Sequence, residues 1–274
     1  MPFSTLGTDR QTGQVVQIAK SARLQGVYIL GLQGTGKSGL LEHLIMQDIE
    51  QGIGLCLLDP HGGISNRVLT HLPLNRKTDV ILLEARTSMN VLQLMNEGKI
   101  LLVKPESTER VDSAIITEIV HAAYSRAETP VHQRKQFHLY IDEFHLFATD
   151  EFALFLTQPA RKFGLGTTIA HQYRRQLDNK NRNACLAAAN LMVFRVSAED
   201  GQELAYQFDT TLPPESEAQP QQKRTKEEMA KKIAYELTNL PDFVARVRIA
   251  KGAKFGDYTI QLPKPIYHRP NTQQ

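Results

Sequence analysis

Gly31-Leu32-Gln33-Gly34-Thr35-Gly36-Lys37-Ser38 has the spacing G-x-x-x-x-G-K-[ST]. Its glycines let the backbone wrap tightly enough for main-chain N–H groups to converge on phosphate oxygens. The ammonium of Lys37 then reaches the β- and γ-phosphates, the hydroxyl of Ser38 ligates Mg2+, and the helix that opens there turns its positive end toward the same anion. This assigns Gly31, Gln33, Gly34, Thr35, Gly36, Lys37, Ser38 and Gly39 to binding of Mg-ATP. A second cluster, Leu139-Tyr140-Ile141-Asp142-Glu143, ends an apolar run in adjacent carboxylates. Hydrolysis at a phosphate needs one acid to hold the Mg2+ shell and one group to orient or deprotonate the attacking water. Asp142 takes the first role, beside Ser38, and Glu143 the second, as catalytic base.

These groups must be delivered to one edge of a sheet. Val27–Leu30 reads as a short buried strand running into the glycine loop, and 37–51 as a helix with Leu41, Leu44, Ile45 and Ile49 on one face and Gly52 at its end. Further strands are expected at 53–58, ending at Asp59, and at 80–83, 100–103, 137–141, 167–170 and 191–196. Helices are expected at 66–72, stopping at Pro73, at 109–126, and from the Ser-x-x-acid start Ser197–Asp200 through Tyr206. Such alternation makes an α/β fold with a mostly parallel sheet and helices on both faces. The chain divides into a main catalytic domain over 1–211, a polar loop over 212–225, and a small C-terminal helix and hairpin appendage over 226–274 that packs on the main domain.

Composition narrows the classes. At 274 residues and 41% hydrophobic, the chain can bury one good core. A formal charge of +3 permits a nucleic-acid partner without demanding one. Cys56 and Cys185 lie in apolar segments and read as buried hydrophobes, which suits a reducing cytoplasm. The longest apolar runs fall short of the ~20 residues that cross a bilayer, and no signal-peptide pattern is present. No direct membrane span is expected.

A further series, in order, is Asp59-Pro60-His61-Gly62-Gly63, Ile141-Asp142-Glu143-Phe144-His145, Ala160-Arg161-Lys162-Phe163-Gly164-Leu165-Gly166, Ala170-His171-Gln172 and Phe194-Arg195-Val196-Ser197. With the glycine loop it resembles the HerA and FtsK superfamily, most closely HerA-type helicase cores and the motor domain of type IV coupling proteins, over about residues 5 to 210. The resemblance implies a RecA-like P-loop NTPase core that assembles as a homo-oligomer, a hexameric ring, and pumps duplex DNA with ATP bound between subunits. It implies that Arg161 is an arginine finger completing a neighbour's site and that Gln172 is a polar sensor of the γ-phosphate or attacking water. Membrane helices and an all-helical insertion, as in coupling proteins, and the N-terminal barrel of HerA proteins are not visible, so the sequence reads as a minimal motor. Pro159 either displaces the finger or supplies a kink that positions it.

Weaker signals stay open. Asp59 and His61 either touch the nucleotide region or make a turn, and Arg195 is either paired at an interface or in the site, or part of a structural ion pair. Arg174, Arg175, Lys180 and Arg182 either face DNA phosphates in a channel or lie on a solvated loop. The sequence-level alternative to a DNA translocase is an ATP-dependent regulatory or scaffold ring controlling a nuclease or a secretion or conjugation partner. A small-molecule kinase is a third reading, disfavoured by the lack of a lid over a phosphate acceptor.

Overall fold

The structure, a computed structural model, describes residues 3–83, 89–104, 114–158, 160–209 and 225–263, with the side chains of 160 and 161 outside the description. The polar loop over 212–225 therefore lies outside it except at Thr225, as do residues 109–113 of the expected 109–126 helix and the tail from 264. Among the described residues, eleven strands form one sheet. They are β1 (Phe3–Asp9), β2 (Val15–Ala19), β3 (Val27–Leu30), β4 (Gly54–Leu58), β5 (Val80–Leu83), β6 (Ile100–Val103), β7 (Phe137–Ile141), β8 (Leu165–His171), β9 (Asn190–Val193), β10 (Val244–Lys251) and β11 (Lys254–Gln261). Their order is β2-β1-β11-β10-β9-β3-β8-β7-β4-β6-β5. From β9 to β5 every pairing is parallel, and from β9 to β2 every pairing is antiparallel.

The central strands are buried on both faces, so β3 and β4 read as unbroken apolar runs, while β7 and β8 also bury His138, Thr167, Thr168 and His171. The helices are α1 (Lys20–Arg23), α2 (Lys37–Glu50), α3 (Gly63–Thr70), α4 (Val91–Glu97), α5 (Ala114–Ser125), α6 (Asp150–Leu156), α7 (Asn179–Cys185), α8 (Ala198–Ala205) and α9 (Lys226–Thr238). Leu40, Leu41, Leu44 and Ile45 of α2 and Ile64 and Val68 of α3 pack on Val27, Ile29, Leu55 and Leu57 from one face. The other face is closed by Ile116, Ile119 and Val120 of α5, Phe152 and Phe155 of α6, Leu204 of α8 and Ile233 and Leu237 of α9, against Tyr28, Leu30, Leu139 and Ile141. Strand alternation splits each strand's side chains between these two layers.

The C-terminal hairpin does more than pack on the domain. Strand β10 pairs with β9 at Arg246↔Val193, and β11 pairs with β1, so the hairpin carries the sheet onward to the N-terminal strands. In the parallel part, β8 lies between β3 and β7. Their carboxyl ends therefore sit side by side along one edge, where ligands of open α/β sheets bind.

Candidate nucleotide site at the carboxyl edge of the sheet

The glycine loop leaves β3 at Gly31, where a Cβ would stand 2.5 Å from Phe194 Cβ, so a larger residue would push the loop off the sheet. Gly34 and Gly36 have φ of 78° and 120°, backbone that other residues adopt only under strain. The Thr35 hydroxyl donates to the Leu32 carbonyl at 2.7 Å, which braces the turn. Lys37 is buried in the first turn of α2, its Nζ donating to Leu32 O at 3.1 Å. Burial pulls the ammonium pKa down, while the charges of Glu143 and Asp142 hold it up. Ser38 and Gly39 follow, both half-buried.

Asp142 stays in the ladder at the end of β7, its N–H donating to Leu58 O at 3.0 Å. Burial pushes its carboxyl pKa up to about 6, helped by the nearby Glu143 and Asp59 charges and opposed by the Glu143 N–H and Lys37. Glu143 then turns into the left-handed region, φ 47° and ψ 52°, with its N–H on Asp142 Oδ1 at 3.1 Å. For a residue with a Cβ this conformation costs on the order of 1 kcal/mol or more. The turn aims the side chain along the sheet edge, where Oε1 accepts from Gln172 Nε2 at 2.9 Å. Oε2 is buried with no hydrogen-bond partner, and His145 Nδ1 lies 3.5 Å away, too far for a good bond. Burial lowers the His145 pKa, with Glu143 acting the other way.

Gln172 is positioned by the residue before it. His171 is buried at the end of β8, stacked on Tyr28 with ring centroids 5.5 Å apart. Its Nδ1 lies 3.0 Å from Tyr173 O, and its Nε2 2.9 Å from the Tyr28 hydroxyl. The carbonyl can only accept, so Nδ1 carries the proton and Nε2 takes the hydroxyl hydrogen. Burial drives its pKa down to about 3, which keeps the ring neutral. A fixed ring thus anchors the strand end whose next side chain reaches Glu143.

Lys37, Asp142, Glu143 and Gln172 are thereby brought together, with Gly31 to Gly39 around them. Asp59, on β4's carboxyl side, is buried with Oδ2 accepting the Ser65 N–H at 2.8 Å, so it shapes the turn into α3 and also adds negative charge near Asp142. His61 is exposed in that turn. Arg161 lies in the 3-10 turn Ala160–Phe163, and its side chain and Pro159 fall outside the described residues.

Of the four cations considered for DNA, Arg174 departs from the expected exposed row. It is buried, with Nε 2.8 Å from Glu203 Oε2 and its N–H on Asp200 Oδ1 at 3.3 Å. Spacing alone could not show that this position turns inward. Arg175 is exposed over the Tyr173 ring, Lys180 is exposed and paired with Asp150 at 3.0 Å, and Arg182 is half-buried and donates to Leu177 O at 3.3 Å. Arg195 pairs with Asp242 at 2.7 Å, while its carbonyl accepts the Leu32 N–H at 2.8 Å. No local pattern marks the chain before β10 as reaching the loop, yet the Phe243 N–H donates to Thr35 O at 2.8 Å.

No protein-family model and no curated protein matches the sequence. Solved structures match over most of the chain. The plasmid coupling protein TrwB in complex with the non-hydrolysable ATP analogue ADPNP superposes with a TM-score of 0.63 at 14% identity, over 92% of this chain and 88% of that one. The genome packaging NTPase B204 from Sulfolobus turreted icosahedral virus 2, in complex with ATP-γS, gives 0.53 at 13% identity, over 87% and 98%. The cytoplasmic domain of the type VII secretion ATPase EccC from Thermomonospora curvata gives 0.56 at 16% identity, over 95% of this chain and 26% of that one. The fold is that of a RecA-like P-loop NTPase of the kind found in these proteins.

Proposed function

We propose that this chain is a cytoplasmic ring motor that hydrolyses Mg-ATP to move duplex DNA. The observation that carries the hydrolytic part is the 2.9 Å bond from Gln172 to Glu143, which joins a strand-end amide to a strained, buried carboxylate beside Lys37. In this reading Lys37 and the loop amides hold the β- and γ-phosphates. Glu143 takes a proton from the attacking water through the oxygen that accepts no hydrogen bond within the protein, and Gln172 fixes the direction of that carboxylate.

The residues present fit Mg2+. Asp142 is buried next to two other carboxylates and titrates high, an excess of negative charge that a cation would relieve. Among the described residues no group of three or more His, Cys, Asp or Glu forms a metal cage. An ion held by Ser38 and Asp142 and otherwise by water and phosphate matches that donor set. Bound there, Mg2+ would offset the negative charge of the phosphates.

DNA as the moved substrate is supported by the ordered motif series and by the roles of two structural neighbours, plasmid coupling and genome packaging. The secretion ATPase among the neighbours favours a second reading, a ring that controls or drives a protein partner. No helix among the described residues is long and apolar enough to cross a membrane. ATPase rates with and without duplex DNA, alongside DNA binding, separate the readings. The motor reading expects DNA to raise the rate; protein that hydrolyses ATP but neither binds nor responds to DNA overturns it in favour of the second.

A further inference from the structure

A nucleotide in this site has a defined direction. Glu143 and Gln172 follow the carboxyl ends of β7 and β8, so the γ-phosphate faces that side of β3. The α-phosphate and nucleoside must then leave toward the other side, where β9 ends and β10 begins. The wall there is tied to the loop by two main-chain bonds, Leu32 N–H to Arg195 O and Phe243 N–H to Thr35 O.

Phe243 is unusual in that wall. Its φ is 61°, a conformation where glycine would be free of strain, yet the position holds a large aromatic. Its carbonyl accepts from both Leu262 N–H and Gln261 Nε2, so the backbone is locked. The ring rests beside the loop: a Cβ at Gly36 would lie 3.2 Å from Phe243 Cδ1. It is nevertheless 39% exposed, whereas the next residue, Val244, is buried. We infer that Phe243 is the platform on which the nucleobase of the bound nucleotide stacks. The inference rests on the nucleotide-binding reading above and adds the base subsite to it. A π-face stacked on a base contributes enough that its removal is measurable, and the contact tolerates different bases.

Calorimetric titration with Mg-ATP and with inorganic tripolyphosphate tests it, because the second ligand has the phosphates and no base. Phe243→Ala and Phe243→Leu should bind Mg-ATP about tenfold more weakly than the wild type while binding tripolyphosphate equally well. The leucine variant keeps apolar packing against Gly36 and guards against a simple loss of loop structure. The chain contains no tryptophan, so Phe243→Trp supplies a single indole whose emission should be quenched by Mg-ATP and not by tripolyphosphate. Unchanged ATP affinity in both variants, equal weakening of both ligands, or an indole that ignores saturating ATP overturns the base platform while leaving the phosphate loop standing. Wild-type protein that binds neither ligand overturns the nucleotide reading itself, and this inference with it.

Discussion

At the scale of single residues, Asp142 links stability to function. Its pKa is raised from 3.8 to about 6 by burial and by Glu143 and Asp59. A carboxyl with a folded pKa above its unfolded value favours folding fully below the unfolded pKa, and that contribution is lost as pH rises through the folded one. Between about pH 4 and 6 the ligand-free protein therefore loses this contribution, worth at most about 3 kcal/mol. Asp142→Asn should raise the melting temperature of ligand-free protein at pH 7.5 and abolish Mg2+-dependent ATP turnover. A melting temperature equal to wild type would show that the charge is relieved in another way. For Glu143 the test is Glu143→Gln, which keeps the shape and the acceptor for Gln172 while removing the base. Single-turnover assays should show hydrolysis falling by roughly 10²-fold or more with ATP still bound; a fall of only a fewfold would remove Glu143 from proton transfer. Gln172 is marked in the sequence only by the resemblance, whereas Gly31 to Ser38, by their spacing, and Asp142 and Glu143, by the apolar run they end, are readable from the residues themselves. Phe243 is not, since its place depends on a hairpin remote in sequence returning to β9.

Among elements, a buried polar cluster fixes α1 and α2 to β7 at the end of the sheet away from the site. Asp48 of α2 accepts both Nη groups of Arg23, at 2.6 and 2.9 Å, and also pairs with Tyr140 OH and His138 Nδ1, each at 2.5 Å. Arg23 and His138 together hold the Asp48 carboxyl far below the usual range against its burial, and burial with Arg23 lowers the His138 pKa. Both shifts act in one direction. A depressed Asp is stabilising above its unfolded pKa, and a histidine kept neutral in the fold loses stability as pH falls below its ordinary 6.5. Acidification below about pH 6.5 should weaken this cluster, and His138→Gln should flatten the upper part of that decline in urea melts. Asp48→Ala leaves Arg23 buried without its partner and should cost about 3–5 kcal/mol at pH 7; a loss under about 1 kcal/mol would mean that water enters the cavity. None of this was visible from periodicity, which reports apolar faces and not which polar side chains meet beneath them. The parallel strands and α2, α8 and α9 were legible because their apolar runs and caps are local, as with Ser197 accepting the Asp200 N–H at 3.2 Å. The N-terminal strands are not legible, because β1 pairs with β11, far along the chain, and little in their own residues marks them.

For the whole molecule, the proposed ring makes a claim that a single chain cannot satisfy. If Arg161 completes the site of a neighbour, one protomer holds Glu143 and the phosphate loop while the next supplies the guanidinium. Mass photometry with a non-hydrolysable ATP analogue should then show hexamers that are absent without nucleotide, and duplex DNA should favour them further. Arg161→Ala should bind ATP and turn over poorly, and Glu143→Gln should behave alike for a different reason. Mixing the two inactive variants distinguishes a trans arginine from a cis one. At every interface where an Arg161→Ala protomer presents its intact Glu143 to a Glu143→Gln protomer's intact Arg161, a complete site forms. Activity should therefore reappear in the mixture, following the fraction of such interfaces as the ratio is varied. With a cis arginine each protomer is defective on its own, and no ratio restores turnover. Flat, inactive mixtures that still form hexamers would place the finger within the subunit and remove the interfacial site, whereas an active monomer in wild-type protein would remove the ring altogether.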